Sequence, residues 1–372
     1  ADIILTLKAP LARLAANGGN AITVFFPDGE YTCSGSLPLV SGLVYACRSR
    51  WSSVIKFTGT GAGFYSATYS AGTFTDNLDD TISEHEINRA GIVNLYLDHT
   101  GAIAGNSGSG TAWSAVVQLV NCPHVKLDNL GVENDTNNIG GIALKWSWRA
   151  QIIRPWVPRG NGLSGGAAIL CDSQCNNVQI DQPFVYGAWA KGIQTAGVNS
   201  LTIVEPNIEL CTVGILMQGL SVRVIGGYLE GNGTDIQVGT SGGSSCQNWL
   251  IQRTWHNGSS SSYGIYLSYA VLGRIEGPFF TGTDSTSKFR STASTSKNYG
   301  NLIETTASDA VAVNLTTLGL AGGRNILRVQ GEDQDDYRGY AEYNTRTSTM
   351  REGQYGPVVI SGAASSSGAW KL

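Results

Sequence analysis

Three nine-residue stretches align position by position: Val178–Tyr186 (VQIDQPFVY), Leu201–Glu209 (LTIVEPNIE) and Val222–Glu230 (VRVIGGYLE). In each stretch the third and eighth residues are aliphatic. The segments that share this pattern are Ala90–Asp98, Val125–Glu133, Ala150–Pro158, Val178–Tyr186, Leu201–Glu209, Val222–Glu230, Trp249–Asn257 and Gly273–Thr281. A pattern that returns about every two dozen residues is typical of a solenoid, in which each repeat builds one coil.

The repeat predicts short strands separated by bends. Its third position is aliphatic in all eight segments and its eighth is apolar in seven, the exception being His256. The sixth position is proline or glycine in five segments, and because proline cannot donate a ladder hydrogen bond, we place a bend there. A third strand is predicted where short apolar runs begin, at Gly141-Ile142, Gly192-Ile193, Gly214-Ile215 and Gly264-Ile265, with Asp235-Ile236 in the equivalent place. Three strands per coil without intervening helices predict an all-β, right-handed parallel β-helix.

The composition agrees with such a solenoid and excludes other classes. The chain has 372 residues, 48 of them glycine, with a formal net charge of −4 and 9% aromatic residues. This balance argues against disorder, and glycine at every third place, which collagen requires, is absent. Propeller blades need about 40 residues each, and an immunoglobulin-like sandwich would show regular hairpin spacing.

We predict three regions along the chain. Residues 1–50 form an N-terminal cap and the first strands, with a helix over Leu5–Asn17 that covers the first coil. Residues 51–285 form the β-helix body. Residues 286–372, in which the repeat fades, form an irregular β-rich cap or a trimerisation region.

The charges and cysteines limit the partners. The sequence has no basic run that would bind nucleic acid and no apolar run long enough for membrane insertion. We expect no signal peptide, and a start at Ala1 suggests a processed or truncated chain. The seven cysteines are irregularly spaced and odd in number, so we expect buried free thiols. Neither Cys171-x3-Cys175 nor the four histidines match a zinc site, and no cofactor or metal is predicted.

Two outward-facing rows of side chains carry the candidate chemistry. Because side chains alternate along a strand, an inward eighth position turns the seventh and ninth positions outward together. Column seven, defined by the seventh position, reads Tyr96, Gly131, Trp156, Phe184, Asn207, Tyr228, Trp255 and Phe279. Column nine reads Asp98, Glu133, Pro158, Tyr186, Glu209, Glu230, Asn257 and Thr281. Aligned aromatic rings beside polar groups suit sugar rings, although a loop or neighbouring subunit would also cover such a patch.

The carboxylates of column nine suggest glycoside hydrolysis, which needs two carboxyl groups. Glu209 and Glu230 lie on adjacent coils, about 4.8 Å apart at Cβ, and their repulsion would separate an acid from a base. Glu205, in the fifth position of the same repeat as Glu209, is a third catalytic candidate. The predicted substrate-binding residues are Trp156, Tyr186, Asn207, Tyr228, Arg253, Trp255 and Asn257.

Other polar groups are weaker candidates. Asp128 and Glu133, with Asn134 and Asp135, would suit a calcium ion or an alternative catalytic group, but the pattern favours solvated acidic residues in turns. Asp79-Asp80 is typical of a turn and Asp98-His99 of a strand end. His256 falls at an inward position and is predicted to be a hydrogen-bonded core histidine.

The sequence resembles a known family at three places. The segment from Phe26 to Tyr31 (FPDGEY) is similar to the F-P-x-G-x-Y motif of pectate-lyase-like proteins, and with the Leu5–Asn17 cap and the eight repeats it resembles the β-helix body of bacteriophage tailspikes. The resemblance covers about Leu5 to Thr283. It implies a homotrimer that binds and cleaves bacterial surface polysaccharide with Asp/Glu pairs in a groove. It also implies assembly in the reducing host cytoplasm and a place in the virion tail, with a secreted protein as the alternative. No particle-binding head domain is evident.

Three functions remain open at this point. The first is an endo-glycosidase acting on capsule, exopolysaccharide or O-antigen through Glu205, Glu209 and Glu230. The second is a polysaccharide lyase that uses a base such as Tyr228, with Arg253 or Arg154 neutralising a sugar carboxylate. The third is a fibre that binds glycans without cleaving them.

Overall fold

The computed structural model describes residues 21–70, 73–76, 86–101, 115–134, 140–161, 166–240, 244–258 and 263–281, together with six later strands that begin at residue 289. The predicted helix over Leu5–Asn17 lies outside the described residues, as does Asp79-Asp80. The contacts divide the chain into two units, Ala1–Asn207 (unit 1) and Ile208–Leu372 (unit 2). Every regular element in the described part of the chain is a strand, and no helix there could span a membrane.

Twenty strands belong to unit 1. They are β1 (Ile22–Phe26), β2 (Gly29–Cys33), β3 (Leu37–Leu39), β4 (Leu43–Cys47), β5 (Ser53–Phe57), β6 (Phe64–Ser70), β7 (Thr73–Asp76), β8 (Gly91–Val93), β9 (Tyr96–His99), β10 (Ala115–Val120), β11 (Lys126–Asp128), β12 (Gly131–Asn134), β13 (Gly140–Lys145), β14 (Gln151–Ile153), β15 (Trp156–Asn161), β16 (Ala167–Asp172), β17 (Asn176–Asp181), β18 (Phe184–Ala188), β19 (Lys191–Ala196) and β20 (Val198–Val204).

The remaining strands follow in order. They are β21 (Asn207–Glu209), β22 (Val213–Met217), β23 (Gly219–Ile225), β24 (Tyr228–Glu230), β25 (Thr234–Val238), β26 (Cys246–Gln247), β27 (Leu250–Gln252), β28 (Trp255–Asn257), β29 (Tyr263–Leu267), β30 (Ala270–Val271), β31 (Arg274–Glu276), β32 (Phe279–Thr281), β33 (Phe289–Ser291), β34 (Leu302–Thr306), β35 (Val313–Asn314), β36 (Arg324–Gln330), β37 (Tyr340–Asn344) and β38 (Thr349–Glu352).

Each coil of unit 1 gives one strand to each of three parallel sheets. Sheet A runs β1-β4-β8-β11-β14-β17-β20, sheet B runs β2-β5-β9-β12-β15-β18, and sheet C runs β3-β6-β10-β13-β16-β19. Neighbouring strands in these sheets are parallel, while β7 pairs with β6 antiparallel. Unit 2 has the same three-sheet organisation in β22 to β35, and sheet A ends there with the antiparallel strands β37 and β38. Both units therefore have the predicted parallel β-helix architecture.

The inward residues of the repeat stack in register, as predicted. In sheet A of unit 1, Leu127 pairs with Ile92 on one side and Ile152 on the other. In unit 2, Val224 pairs with Ile251 and Ile251 with Ile275. These aliphatic side chains are almost fully buried. At about 25 cal/mol per Å² of buried apolar surface, such columns give the coil its main stabilisation.

The bend lies one residue earlier than the sequence suggested. The fifth position of every repeat has a positive φ, between 46° and 67°, at Asn94, Asn129, Arg154, Gln182, Glu205, Gly226, Arg253 and Gly277. Proline, with its φ fixed near −65°, cannot adopt this left-handed conformation, so the residue before it makes the turn. The third strands contain the glycine–isoleucine pairs, as predicted, and β13, β19, β22 and β29 each begin one residue before the glycine.

Candidate functional site

Columns seven and nine exist in unit 2 as predicted. In sheet B, Tyr228 pairs with Trp255 and Glu230 with Asn257, while β32 continues both columns with Phe279 and Thr281. Between the two columns the eighth position points inward, and Leu229 and His256 are buried. The seventh and ninth side chains therefore share one outer face of this sheet.

Glu230 is the centre of a hydrogen-bond cluster on this face. The Tyr228 hydroxyl donates to Glu230 Oε2 at 2.8 Å, and Asn257 Nδ2 lies 2.9 Å from Glu230 Oε1. Asn257 Nδ2 also lies 2.9 Å from the Tyr228 hydroxyl oxygen. Both carboxylate oxygens of Glu230 thus accept hydrogen bonds that fix the orientation of the group.

Glu209 lies on the strand beside Glu230. The backbone N–H of Leu210 donates to the carbonyl of Glu230 at 3.0 Å, which sets β21 next to β24. The carboxylate of Glu209 is close enough to Tyr228 to affect the pKa of its hydroxyl. The two glutamates that the sequence predicted as a pair therefore lie on neighbouring strands, and both carboxylates act on the hydroxyl of Tyr228.

The pKa of the Tyr228 hydroxyl depends on the charges of this cluster. The hydrogen bond from Asn257 lowers its pKa, but burial, the hydrogen bond to Glu230 and the negative charges of Glu230 and Glu209 together raise it above the ordinary value. The hydroxyl therefore keeps its proton to higher pH than a free tyrosine, and it donates that proton in the hydrogen bond to Glu230.

An exposed aromatic ladder borders the cluster. We define it as Tyr228, Trp255 and Phe279, whose rings meet edge to face at centroid distances of 5.5 and 5.6 Å. Trp255 is 46% exposed and Phe279 is 55% exposed. The indole Nε1 of Trp255 donates to Thr281 Oγ1 at 2.8 Å, so its polar atom is satisfied while the ring remains open to solvent. Phe279 was not among the predicted substrate-binding residues, although its place in column seven indicates it.

A buried polar network lies beneath this face. His256 Nδ1 is 3.0 Å from Asp235 Oδ2, and His256 Nε2 is 2.8 Å from Thr254 Oγ1. Asn232 Nδ2 donates to Asp235 Oδ1 at 2.9 Å, and the His256 ring stacks on Phe280. The expectation of a hydrogen-bonded core histidine is confirmed. Burial raises the pKa of Asp235, and the hydrogen bond and charge of His256 offset that rise only in part.

Sequence reasoning missed Asp235, but the signal was present. Asp235 stands where four other third strands have glycine, and His256 stands where the other repeats have an apolar residue. Gly214 lies opposite Asp235 in the parallel register, and a Cβ on Gly214 would lie 2.6 Å from the Asp235 carbonyl oxygen. Two coordinated exceptions to the repeat in one coil thus mark a polar pair inside an otherwise apolar core.

Among the described residues, none of the other predicted site residues hydrogen-bonds to Glu230. Glu205 occupies the left-handed corner of its repeat, is exposed, and accepts a hydrogen bond from Gln182 Nε2 at 3.1 Å. Tyr186 is 41% exposed, and the buried Oδ1 of Asn207 has no hydrogen-bond partner among the described residues. Arg253 is the exposed left-handed residue in the loop before β28.

Trp156 belongs to unit 1, where Tyr96, Trp156 and Phe184 continue column seven. It packs against Trp51, a residue outside the nine-residue repeats, at a centroid distance of 5.0 Å. Column seven thus contributes one set of aromatic rings to unit 1 and another set to unit 2.

The acidic residues of unit 1 are held by cations and hydroxyls. Asp128 bonds Arg154 at 2.8 Å and Lys126 at 3.0 Å. Burial raises the Asp128 pKa, but these two partners outweigh it and lower the pKa overall. Glu133 accepts a hydrogen bond from the Tyr96 hydroxyl. Asp135 lies outside the described residues, and within the described part of the chain no group of three or more ligands is placed to hold a metal.

The comparison with known proteins rests on structure. No family model and no curated protein matches the sequence. DFA-IIIase from Arthrobacter chlorophenolicus A6 without its lid matches with a TM-score of 0.57 at 11% identity, covering 88% of this chain and 95% of that one. The Dettilon tailspike protein matches at 0.51 and 10% identity, covering 89% and 65%. ORF18 of Geobacillus virus E2 matches at 0.52 and 12%, covering 88% and 58%.

The chain spans less than two thirds of the length of the two phage proteins. At these identities the likeness concerns the path of the backbone, which in both units is a three-sheet parallel solenoid. The chain therefore has the parallel β-helix fold found in phage tailspike proteins.

Proposed function

We propose that this chain is the β-helix body of a bacteriophage tailspike that binds and cleaves a bacterial surface polysaccharide by endo-glycosidic hydrolysis. The observation that carries the proposal is the pair Glu209 and Glu230 on neighbouring strands, next to the exposed aromatic ladder. Structures of a tailspike and another phage protein with this fold support it, as does a carbohydrate-active relative in fold, the DFA-IIIase.

The two glutamates divide the reaction between them. Glu230, whose two oxygens accept hydrogen bonds from Tyr228 and Asn257, serves as the base that activates water or as the nucleophile. Glu209 donates a proton to the glycosidic oxygen as the bond to the sugar breaks. Water then supplies the hydroxyl of the new reducing end. The proton on Tyr228 supports the charge of Glu230 without leaving the hydroxyl.

The aromatic ladder holds the polymer beside these groups. The open faces of Trp255 and Phe279 stack on the C–H faces of pyranose rings, and Asn257 offers a polar partner to sugar hydroxyls. Within unit 2, Arg253 is a further sugar-binding candidate. In unit 1, Trp156, Tyr186 and Asn207 remain predicted sugar-binding residues, and Glu205 remains a third carboxylate candidate.

The lyase alternative has less support. β-Elimination needs a base near an acidic sugar, and the sequence offers Tyr228 for that role. Because the pKa of Tyr228 is raised, a smaller fraction of it is deprotonated at neutral pH than for a free tyrosine.

The test is product chemistry on a panel of purified capsular polysaccharides, exopolysaccharides and O-antigens. Hydrolysis generates new reducing ends without the ultraviolet absorbance of an unsaturated uronate. Glu209→Gln and Glu230→Gln should each lower the rate by about a hundred-fold or more, whereas Glu205→Gln shows whether the third carboxylate takes part. Ultraviolet absorbance with chain shortening would show a lyase instead, and binding without shortening would show a fibre.

We also propose that the protein works as a homotrimer in the virion tail and is assembled in the host cytoplasm. The fold relatives among phage proteins support this placement. Light scattering coupled to size-exclusion chromatography should give three times the mass of 39.3 kDa. A monomer mass would contradict the proposed assembly and leave the chemistry to be judged separately.

A further inference from the structure

A second aromatic surface in unit 1 has features that the glutamate cluster does not explain. We define the Trp51 cluster as Trp51, Tyr96, Trp156 and Phe184. Trp51 lies 5.5 Å from Tyr96 and 5.0 Å from Trp156, and Trp156 stacks on Phe184 at 6.5 Å with an interplanar angle of 12°. Trp51 is 59% exposed, among the most exposed of the large apolar side chains. An exposed indole whose position is fixed by contacts with other aromatic rings can stack on the apolar face of a ligand.

Arg50 lies against these rings. Its guanidinium carbon is 4.8 Å from the Trp51 ring centre and 6.0 Å from that of Trp156, within range of a cation–π interaction. One Nη donates to the carbonyl of Arg154 at 3.1 Å, while the buried Nε has no hydrogen-bond partner among the described residues. Because Nε is itself buried, an acceptor from a ligand would approach the half-buried guanidinium at its terminal nitrogens.

The strand beneath is shaped to hold this arrangement. Gly131 sits under the cluster, and a Cβ there would lie 2.5 Å from the Tyr96 ring and 3.2 Å from Cδ of Arg50. Only glycine lets the ring and the arginine stem lie this close to the backbone. The absence of a side chain in column seven at this coil therefore has a local steric reason.

The described charged groups near Arg50 are two cations and two carboxylates. Arg154 and Lys126 share the carboxylate of Asp128, and Glu133 accepts a hydrogen bond from Tyr96, so Arg50 adds the third cation to a nearly balanced set. Among the described residues, no carboxylate lies within ion-pair distance of Arg50. Burial and the nearby Arg154 lower the pKa of Arg50, while Tyr96 partly offsets them, so its charge is held in an unfavourable setting that an anion would relieve.

We propose that the Trp51 cluster with Arg50 is a second binding site, specific for a carboxylated pyranose unit of a polysaccharide. The apolar face of the sugar ring stacks on Trp51, and its carboxylate accepts hydrogen bonds from the guanidinium of Arg50. A neutral sugar would provide no negative charge to pair with the guanidinium of Arg50. This inference deepens the proposed function, on which it rests for the polymeric nature of the ligand, by naming an acidic substrate class.

Single-stranded nucleic acid is the competing occupant, because its bases stack on aromatic rings and its phosphates pair with arginine. Lys126 and Arg154 are already paired with Asp128, so Arg50 is the one unpaired cation described beside the rings. A single guanidinium fits one carboxylate per sugar better than an extended phosphate backbone, which needs a row of cations. Tighter binding of an oligonucleotide than of the acidic sugar would therefore favour nucleic acid as the ligand.

The experiment is isothermal titration of the full chain carrying Glu230→Gln, which separates binding from cleavage, with tetragalacturonate, its methyl ester and a thymidine tetranucleotide. Tetragalacturonate should bind saturably, and more weakly as salt rises. Arg50→Gln should weaken it about ten-fold or more, the loss of a charge-assisted hydrogen bond, and Trp51→Ala should weaken it as well. The matched control is Arg48→Gln, since Arg48 is exposed and pairs with Asp28 at 2.7 Å, and it should bind like the parent.

Four outcomes overturn the inference: no saturable binding, equal binding of the methyl ester, undiminished binding by both the Arg50 and the Trp51 variants, or tighter binding of the tetranucleotide. Unchanged melting temperatures show that a loss of affinity is not a loss of folding. The cleavage assay compares variants of Glu209 and Glu230, whereas the titration compares variants of Arg50 and Trp51 that all carry Glu230→Gln. A failure of the proposed cleavage and a failure of the proposed second site can therefore be told apart.

Discussion

Glu230 depends on two donors for its orientation, and only one of them is an ionisable hydroxyl. Tyr228 donates to Oε2, and Asn257 lies at Oε1, so the carboxylate is held from both sides. The raised pKa of Tyr228 keeps that donor protonated. In the proposed hydrolase Tyr228 therefore supports Glu230, whereas a lyase would need it as the catalytic base.

Tyr228→Phe tests this distinction. In a hydrolase the variant should lose about ten-fold in kcat through the lost hydrogen bond to a charged group, while the shape of its pH profile at alkaline pH stays that of the parent. The measurement is the initial rate of reducing-end formation from neutral to alkaline pH. A parent rate that climbs with pH and vanishes in the variant would make Tyr228 the base. Tyr31→Phe, which removes a hydroxyl that donates to Pro27, is the control.

Gly273 has a steric role that a single substitution can test. A Cβ at this position would lie 1.8 Å from the ring of the buried Trp249, so Gly273→Ala forces the indole or the strand to move. We expect a loss of about 2 kcal/mol or more in the free energy of unfolding. Gly258→Ala is the matched control, because no described atom lies within 4 Å of its Cβ. The measurement is urea unfolding of both variants. Equal free energies of unfolding would contradict the close contact between Gly273 and Trp249.

At the scale of elements, the Asp235–His256 pair joins β25 to β28. His256 lies between Trp255 and Asn257, two outward residues of the candidate site, so the buried pair fixes the strand that presents them. Asp235→Ala leaves the buried polar groups of His256 and Asn232 without this hydrogen-bond partner and should cost about 1–3 kcal/mol. Arg274→Ala breaks an exposed pair with Glu276 and should cost less than about 1 kcal/mol. Similar losses in the two variants, measured by urea unfolding, would contradict this account of β28.

The same pair predicts a pH dependence of stability. Burial raises the folded-state pKa of Asp235 above 3.8, so the folded state binds a proton more tightly than the unfolded state. The stabilisation linked to this proton is complete below the unfolded pKa and is lost as pH rises through the folded pKa. Asp235→Asn, which cannot ionise, should therefore gain stability relative to the parent as the pH rises above about 4, until the folded-state pKa of Asp235 is passed. A constant difference across that range would contradict the raised pKa.

The elements also show where sequence reasoning succeeded. The third and eighth positions of the repeat, such as Ile152 and Val157, specify the inward face of each strand, because alternation and stacking leave few other registers. The outward pair Glu209 and Glu230 followed from the same alternation. Trp51 did not follow, since it lies outside the repeats and reaches the rings of column seven only through the turn before β5. Contacts made by residues outside a repeat carry no periodic signal.

At the scale of the whole molecule, the seven cysteines are all buried and free, as expected from their spacing. Burial raises the pKa of Cys175 to about 12, so little thiolate forms at neutral pH. Ellman's reagent should react with none of the thiols in the folded protein and with seven after unfolding. A reducing agent should leave the melting temperature unchanged. Rapid reaction of any thiol in the folded state would contradict the burial of these residues.

Each unit repeats the same three-sheet coil, and each presents aromatic side chains on an outer face. The central claim is that the carboxylate pair of unit 2 cleaves a bacterial polysaccharide. The most direct measurement is the molar mass of a susceptible polysaccharide during incubation with the parent or with the Glu209→Gln, Glu230→Gln double variant. The account predicts a rapid fall in molar mass with the parent and none with the double variant, while both bind the polymer. An equal fall with the double variant would contradict it.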